Sequence, residues 1–237
     1  MRKAEIETIF SLTKSWNMET PDRLRESNGL NMIVKVIERL RNSDVKDLVN
    51  ARIKEFKENM DKPISEIFKE LCFCLLTANF SAERSLKIQS EIGDGFVTLP
   101  EDELAYKLEM FGHRFPKSRA KYIVEARKMI DQLRNAIRSP ASSWAVRDWL
   151  VKNVKGLGYK EASHFLRNIG FMDLAIVDFH IVNLLSRYGL IVRPKVLTRK
   201  KYVEIERVLK KIAEKVGLDL GALDLYLWYM ETGKVLK

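Results

Sequence analysis

The forty residues Val151–Leu190, VKNVKGLGYKEASHFLRNIGFMDLAIVDFHIVNLLSRYGL, decide how the chain is read. A glycine turn, Gly156-Leu157-Gly158, follows one amphipathic stretch and opens another. In the second stretch Ala162, Phe165, Leu166 and Ile169 recur at helical spacing, and Gly170 closes the run as a left-handed cap would. A short apolar connector, Leu174–Val177, leads to Asp178. Ile181, Leu184, Leu185 and Tyr188 then stripe a further helix that ends at Gly189. The pattern predicts a tight hairpin between two helices, a linker, and a third helix with an acidic cap.

Outward from this segment the same period dominates. Ile64, Ile67, Phe68 and Leu71 mark one helix; Ala82, Leu86 and Gln89 mark the next; Leu104, Leu108 and Phe111 precede Gly112. Tyr122, Ile123, Ala126 and Ile130 follow, then Trp144, Val146, Trp149 and Leu150. Beyond the decisive segment, Tyr202, Ile205, Leu209, Ile212 and Val216 end at Gly217, and Leu220–Met230 is the last helix. Phe171–Val177 is the one stretch that could be a strand, so the fold class is all-α. Residues 1–31 read as an N-terminal extension: Pro21, Ser27, Asn28 and Gly29 suggest a loop, and Met32 opens a periodic helix through Ile33, Val36, Ile37 and Leu40. Met32 could be the natural start.

The chain has 237 residues, 42 Lys plus Arg against 32 Asp plus Glu, and a net charge of +10. Residues 1–31 hold five basic and five acidic side chains, so the excess lies wholly in Met32–Lys237. It gathers in Arg114–Lys128, Lys152–Gly170 and Arg193–Lys201. Such clusters suit a polyanion, most often nucleic acid, although a charge run is also the ordinary state of a solvated helix face. Hydrophobic residues make up 46% of the chain, too many for a disordered polymer. Neither a membrane span nor a secretory signal is expected. Two cysteines, Cys72 and Cys74, sit in the apolar run Leu71–Leu76, which suggests a reduced, cytoplasmic setting. Two are too few for a four-cysteine zinc site or an iron–sulfur cluster within one chain.

Gly156 and Gly158 leave backbone amides free to cradle a phosphate at a helix N-terminus, yet glycine turns join helices everywhere. Lys160 falls in the first turn, where a cation meets the positive end of the helix dipole. That place suits an amine that must lose its proton to act as a nucleophile; it equally suits a lysine touching a phosphate. Asp178 reads alone as an ordinary N-cap. Together the hairpin glycines, the lysine, the connector and the aspartate are more specific than any one of them.

The combination resembles the helix–hairpin–helix DNA glycosylase superfamily. Residues 170–178 depart from its pattern in lacking a proline. The stretches KELCFCLLTANFSAERS, GHRFPKSRAKYIVEAR, KGLGYKEASHFLRNIG and DLYLWYMETGKVLK are similar to the compact 8-oxoguanine DNA glycosylase/AP lyases of archaea and some bacteria, in order across residues 32–237.

The resemblance implies two helical lobes around a DNA-binding cleft: 63–171 as the central lobe ending in the hairpin, and 32–62 with 172–237 as the terminal lobe. Lys160 and Asp178 would face each other from opposite lobes. Lys160 would attack the anomeric carbon of the damaged nucleotide, and Asp178 would prepare the amine and stabilise positive charge on the sugar. The Schiff base would then permit β-elimination, with no metal or organic cofactor. The partner would be double-stranded DNA containing oxidised guanine, bound by a monomer. A target base leaves the stack to be processed. Asn79 and Phe80 match the wedge loop, though Phe80 could be core and Asn79 a helix cap; Arg84 could reach the orphaned base. Phe115 and Trp228 match the walls of the base pocket, where isolated aromatics are otherwise usually core. Lys237, the last residue, matches a base-recognising terminus whose carboxylate could accept from N7–H of 8-oxoguanine; the ordinary alternative is a frayed end. His164 and His180 read as packing or phosphate contacts. Two other readings stay open: a glycosylase for another damaged base, and a non-catalytic helix–hairpin–helix DNA-binding module.

Overall fold

A computed structural model describes residues 22–237, with side chains from Ser27 onward. Among them the chain is all-α, with no strand. In order the helices are α1 (Asp22–Arg41), α2 (Val45–Asn59), α3 (Ile64–Thr77), α4 (Ala82–Ile92), α5 (Gly95–Thr98), α6 (Glu101–Met110), α7 (Pro116–Arg127), α8 (Ile130–Arg138), α9 (Ser143–Asn153), α10 (Tyr159–Asn168), α11 (Phe179–Arg187), α12 (Arg199–Val216) and α13 (Leu220–Thr232). No helix among the described residues is long and apolar enough to cross a membrane.

Two compact units result. One combines the described residues up to Lys54 with Ala175–Val235 and Lys237; the other holds Glu55–Leu174 and Leu236. The expected cuts at 62/63 and 171/172 therefore fall at 54/55 and 174/175. The reason for the first lies in the last turn of α2. Phe56 is buried beneath the Arg167 guanidinium, 4.7 Å from the ring centre, and Asn59 Nδ2 donates to the Asn168 carbonyl at 2.8 Å. That turn is committed to the central unit.

The central unit is built around α3, which is apolar nearly all round because other helices cover it. Phe68, Phe73, Leu75, Phe96, Leu108 and Phe165 are among its fully buried neighbours and members. Cys72 and Cys74 lie inside this core, and burial pushes the Cys72 thiol well above its ordinary value.

In the other unit, one expectation is overturned. Ser27, Asn28 and Gly29 do not form a loop, and Met32 does not open the helix: α1 runs unbroken from Asp22. Gly29 costs a helix interior about 1 kcal/mol relative to alanine, so local propensity argued for a loop. Tertiary packing wins instead. Gly29 is buried, and a Cβ there would sit 1.8 Å from the Tyr188 carbonyl oxygen. The glycine lets α1 pass the C-terminal end of α11 at backbone distance. The remainder of the predicted extension, residues 1–21, lies outside the described residues.

An exposed helical Gly→Ala change normally stabilises. Gly29→Ala is expected to destabilise instead, by about 1–3 kcal/mol, as overpacking does. Urea unfolding of the two chains measures the difference, and an unchanged or raised midpoint contradicts the close approach.

Candidate active site

The hairpin joins α9 to α10 through residues 154–158. The Leu157 amide donates to the Val154 carbonyl at 3.2 Å, and the buried Leu157 side chain pegs the turn to the core. Gly156 has φ +91°, and a Cβ on it would lie 2.5 Å from Tyr122 Cδ2. Only glycine meets both demands. The two helices are tied by Arg147, fully buried, whose Nη1 donates to Ser163 Oγ at 3.1 Å while its guanidinium lies over the Trp144 and Tyr159 rings. The Tyr159 hydroxyl also donates to Asp148.

Lys160 is the second residue of α10, as expected. Its neighbour Glu161 was not anticipated as a site residue. Glu161 Oε2 accepts from the Gly158 amide at 3.2 Å, and its Oε1 lies 3.8 Å from Lys160 Nζ. One carboxylate thus occupies the N-terminal amide of the helix and faces the half-buried amine. The amide expected to meet a phosphate is engaged internally here.

The candidate wedge loop follows α3. Asn79 is exposed with φ +58°, the one non-glycine residue with positive φ among the described residues. It does not cap α4; Ser81 does, accepting from the Arg84 amide. Phe80 is half-buried, 4.3 Å from the His113 ring and beneath the Arg84 guanidinium at 4.9 Å. Arg84 Nη2 donates to the Gly112 carbonyl at 2.7 Å. The structure therefore separates the two wedge candidates: Asn79 stands out, while Phe80 and Arg84 are packed against the turn that precedes α7.

Phe115 is the N-cap residue of α7 and half-buried, with Arg114 and Arg119 over its ring at 5.0 and 5.6 Å. Its amide donates to His113 Nδ1 at 3.0 Å. Part of the basic segment 114–128 is structural. Arg119 donates to the Ala78 carbonyl at 2.7 Å, and Arg127 clamps the carbonyls of Phe96 and Leu99.

In the other unit Asp178 caps α11, its Oδ1 accepting from the Ile181 amide at 2.9 Å. The connector before it is buried and extended but pairs with no strand. Its polar backbone is served by α12: Glu206 Oε1 accepts from the Ala175 amide at 2.9 Å. The Tyr202 hydroxyl accepts from Val177 N at 3.1 Å and donates to the Ala175 carbonyl at 2.8 Å. Trp228, on α13, meets the His180 ring edge-on at 4.9 Å, and Phe179 beside it is 65% exposed. The Trp228 indole N–H is buried without a hydrogen-bond partner among the described residues. The α11 N-terminus and Trp228 are thereby brought together. Lys237 ends the chain half-buried, beyond the left-handed cap Gly233. His164 packs edge-on against Phe73 at 5.5 Å.

Sequence reasoning missed His113, Glu161, Tyr202 and Glu206. Glu161 carried a local signal, an acid at the third helical position after the hairpin. Tyr202, Glu206 and the His113 bond to Leu76 act over long sequence separations that no spacing rule marks.

These features define an all-α protein whose helix–hairpin–helix carries a lysine in the first turn of its second helix. The family model described as 8-oxoguanine DNA glycosylase, of the helix–hairpin–helix type, matches residues 49–218. The chain belongs to this family. It is 54% identical over 210 residues to the 8-oxoguanine DNA glycosylase/AP lyase of Korarchaeum cryptofilum, spanning 88% of this chain and 100% of that protein. The crystal structure of the Methanocaldococcus jannaschii 8-oxoguanine glycosylase/lyase, in complex with a 15mer DNA containing 8-oxoguanine, is 52% identical with a TM-score of 0.84. The match covers 87% of this chain and 100% of that one. The 8-oxoguanine DNA glycosylase of Thermotoga maritima is 47% identical with a TM-score of 0.82, covering 88% of this chain and 100% of that one.

Burial holds the His113 imidazole below the ordinary histidine pKa; the Arg119 and Arg84 cations act the same way, against the Leu76 carbonyl bond. The unfolded chain then binds a proton at about pH 6.5 that the folded chain refuses, so stability falls as pH drops below that value. The thermal midpoint of the wild type is expected to fall more between pH 7.5 and pH 5 than that of His113→Gln. Equal falls would show that His113 contributes nothing to the acid sensitivity.

Proposed function

We propose that the chain excises 8-oxoguanine from duplex DNA and then nicks the strand, as a monomer carrying every residue the chemistry calls for. What supports the reading is Lys160, in the first turn behind the glycine hairpin, in a chain that belongs to the 8-oxoguanine DNA glycosylase family. The relatives named above are glycosylase/AP lyases, and one is bound to DNA containing 8-oxoguanine.

The Lys160 amine attacks the anomeric carbon, the glycosidic bond breaks, and the base departs with the bonding pair and gains a proton. As a proton passes from nitrogen to the ring oxygen, the bond between that oxygen and the anomeric carbon breaks, and the sugar opens to an iminium. That iminium acidifies the neighbouring carbon, whose proton is removed as the 3′ phosphate leaves. Asp178 opposes the positive charge that builds on the sugar as the base leaves. Its carboxylate already spends one oxygen on the Ile181 amide, which fixes its orientation. Phe115 and Trp228 supply flat apolar surface for an extruded purine. Asn79, at the loop tip, fills the gap left in the duplex, with Phe80 and Arg84 behind it. Lys237 takes part in reading the base: 8-oxoguanine offers an N7–H that guanine lacks, and a site that accepts from it discriminates strongly.

Borohydride is expected to trap wild-type chain on DNA containing 8-oxoguanine and to trap none of Lys160→Gln. An undiminished adduct in the variant would remove Lys160 from the mechanism. Asp178 has two separable roles. Asn caps helices as well as Asp, so Asp178→Asn is expected to keep stability while excision falls by about 10²–10⁴-fold. Asp178→Ala is expected to lose about 1 kcal/mol of stability in addition. Excision that survives in the Asn variant reduces Asp178 to a cap.

A further inference from the structure

His113 is 4% exposed and both its ring nitrogens are engaged. The Phe115 amide can only donate, so Nδ1 accepts from it at 3.0 Å. Nε2 therefore carries the hydrogen and donates to the Leu76 carbonyl at 3.1 Å. This is a single neutral tautomer, set by two backbone groups from two different segments. The segment at Leu76 runs into the loop that bears Asn79; the segment at Phe115 carries the aromatic face. The ring between them is also the surface on which Phe80 rests, 4.3 Å away.

The backbone of His113 is itself fixed. Gly112, with φ +70°, donates to Glu109 at 2.8 Å and His113 donates to Leu108 at 2.8 Å, closing α6 with a left-handed cap. Two further bonds run beside the imidazole between the same regions: Arg119 Nη2 to the Ala78 carbonyl and Arg84 Nη2 to the Gly112 carbonyl, each at 2.7 Å. A buried imidazole needs partners for both ring nitrogens, and here the two come from separate segments. This one spans the two segments with a short rigid linker.

We propose that His113 is a positioning residue for base excision, which couples the loop bearing Asn79 to the backbone of Phe115 so that insertion into the duplex and alignment of the base wall occur together. The inference rests on the functional reading above. His113 touches no reacting atom; it acts through the geometry of the two segments, where small misplacements are costly in rate.

Glutamine can replace both bonds, its amide N–H donating to Leu76 and its carbonyl accepting from Phe115, whereas phenylalanine keeps the ring and loses both. Single-turnover excision of 8-oxoguanine by His113→Phe is expected to be slower by about tenfold, with His113→Gln within about twofold of wild type. Cleavage of a preformed abasic site, which has no base to align, is expected to stay within about twofold in both variants. A 2-aminopurine next to the lesion reports unstacking: its fluorescence rise is expected to shrink in the Phe variant and return in the Gln variant. Three results overturn the proposal: Phe equal to wild type, Gln no better than Phe, or equal losses on both substrates. If the Phe variant does not fold, His113→Asn, whose shorter amide reaches one partner, takes its place and the same order is required. Wild-type chain that fails to excise 8-oxoguanine overturns the underlying reading; wild-type excision without this order among variants overturns the role of His113 alone.

Discussion

A buried extended segment without a sheet must still satisfy its amides and carbonyls, because each one left bare inside a protein costs as much as a lost hydrogen bond. The connector Leu174–Val177 is such a segment, and α12 resolves it with two side chains. Tyr202 spends a single hydroxyl twice, accepting from one amide and donating to one carbonyl. Glu206, 1% exposed, accepts from another amide. These bonds fix where the chain emerges from the core and therefore where Asp178 begins α11. The carboxylate owes its place to partners about thirty residues downstream as much as to the helix it caps.

On the central unit the corresponding constraint is the hairpin. Glycine at 156 is required by both φ and the Tyr122 ring, and the buried Arg147 holds α9 and α10 together through Ser163 and two aromatic faces. Lys160 is presented from a first turn that is thereby rigid. Glu161 supplies the local counter-charge at 3.8 Å while it serves the helix N-terminus through Gly158. The amine therefore lies at the N-terminal end of a helix with one carboxylate 3.8 Å away.

Much of this was legible in the sequence because it is local. Helical period marked most of the helices but left α2, α5 and α8 unread, glycines marked the ends of α4, α6, α10, α11 and α12, and the order hairpin, lysine, connector, aspartate marked the segment proposed to carry the chemistry. Asp178 as an N-cap is a signal contained within four residues. What escaped reading depends on distant contacts. Gly29 looked like loop because its reason for being in α1 is the Tyr188 carbonyl, nearly 160 residues away. Phe171–Val177 looked like a possible strand because apolar runs do not reveal whether their backbone partners are strands or side chains. Arg119 and Arg127 looked like part of a basic face, yet both are spent on backbone carbonyls. His113 stood in a quoted motif without a role, since its partners Leu76 and Phe115 meet only in the folded unit.

The burial of Cys72 and Cys74 has a chemical consequence. Both sulfurs lie in the core around α3, and the Cys72 thiol is held protonated well above its ordinary range. Peroxides attack thiolates that solvent can reach, so burial shields both sulfurs and the raised pKa shields Cys72 a second time. The lesion for which the family is named is an oxidised guanine. This member keeps its two thiols out of the reaction that generates its proposed substrate.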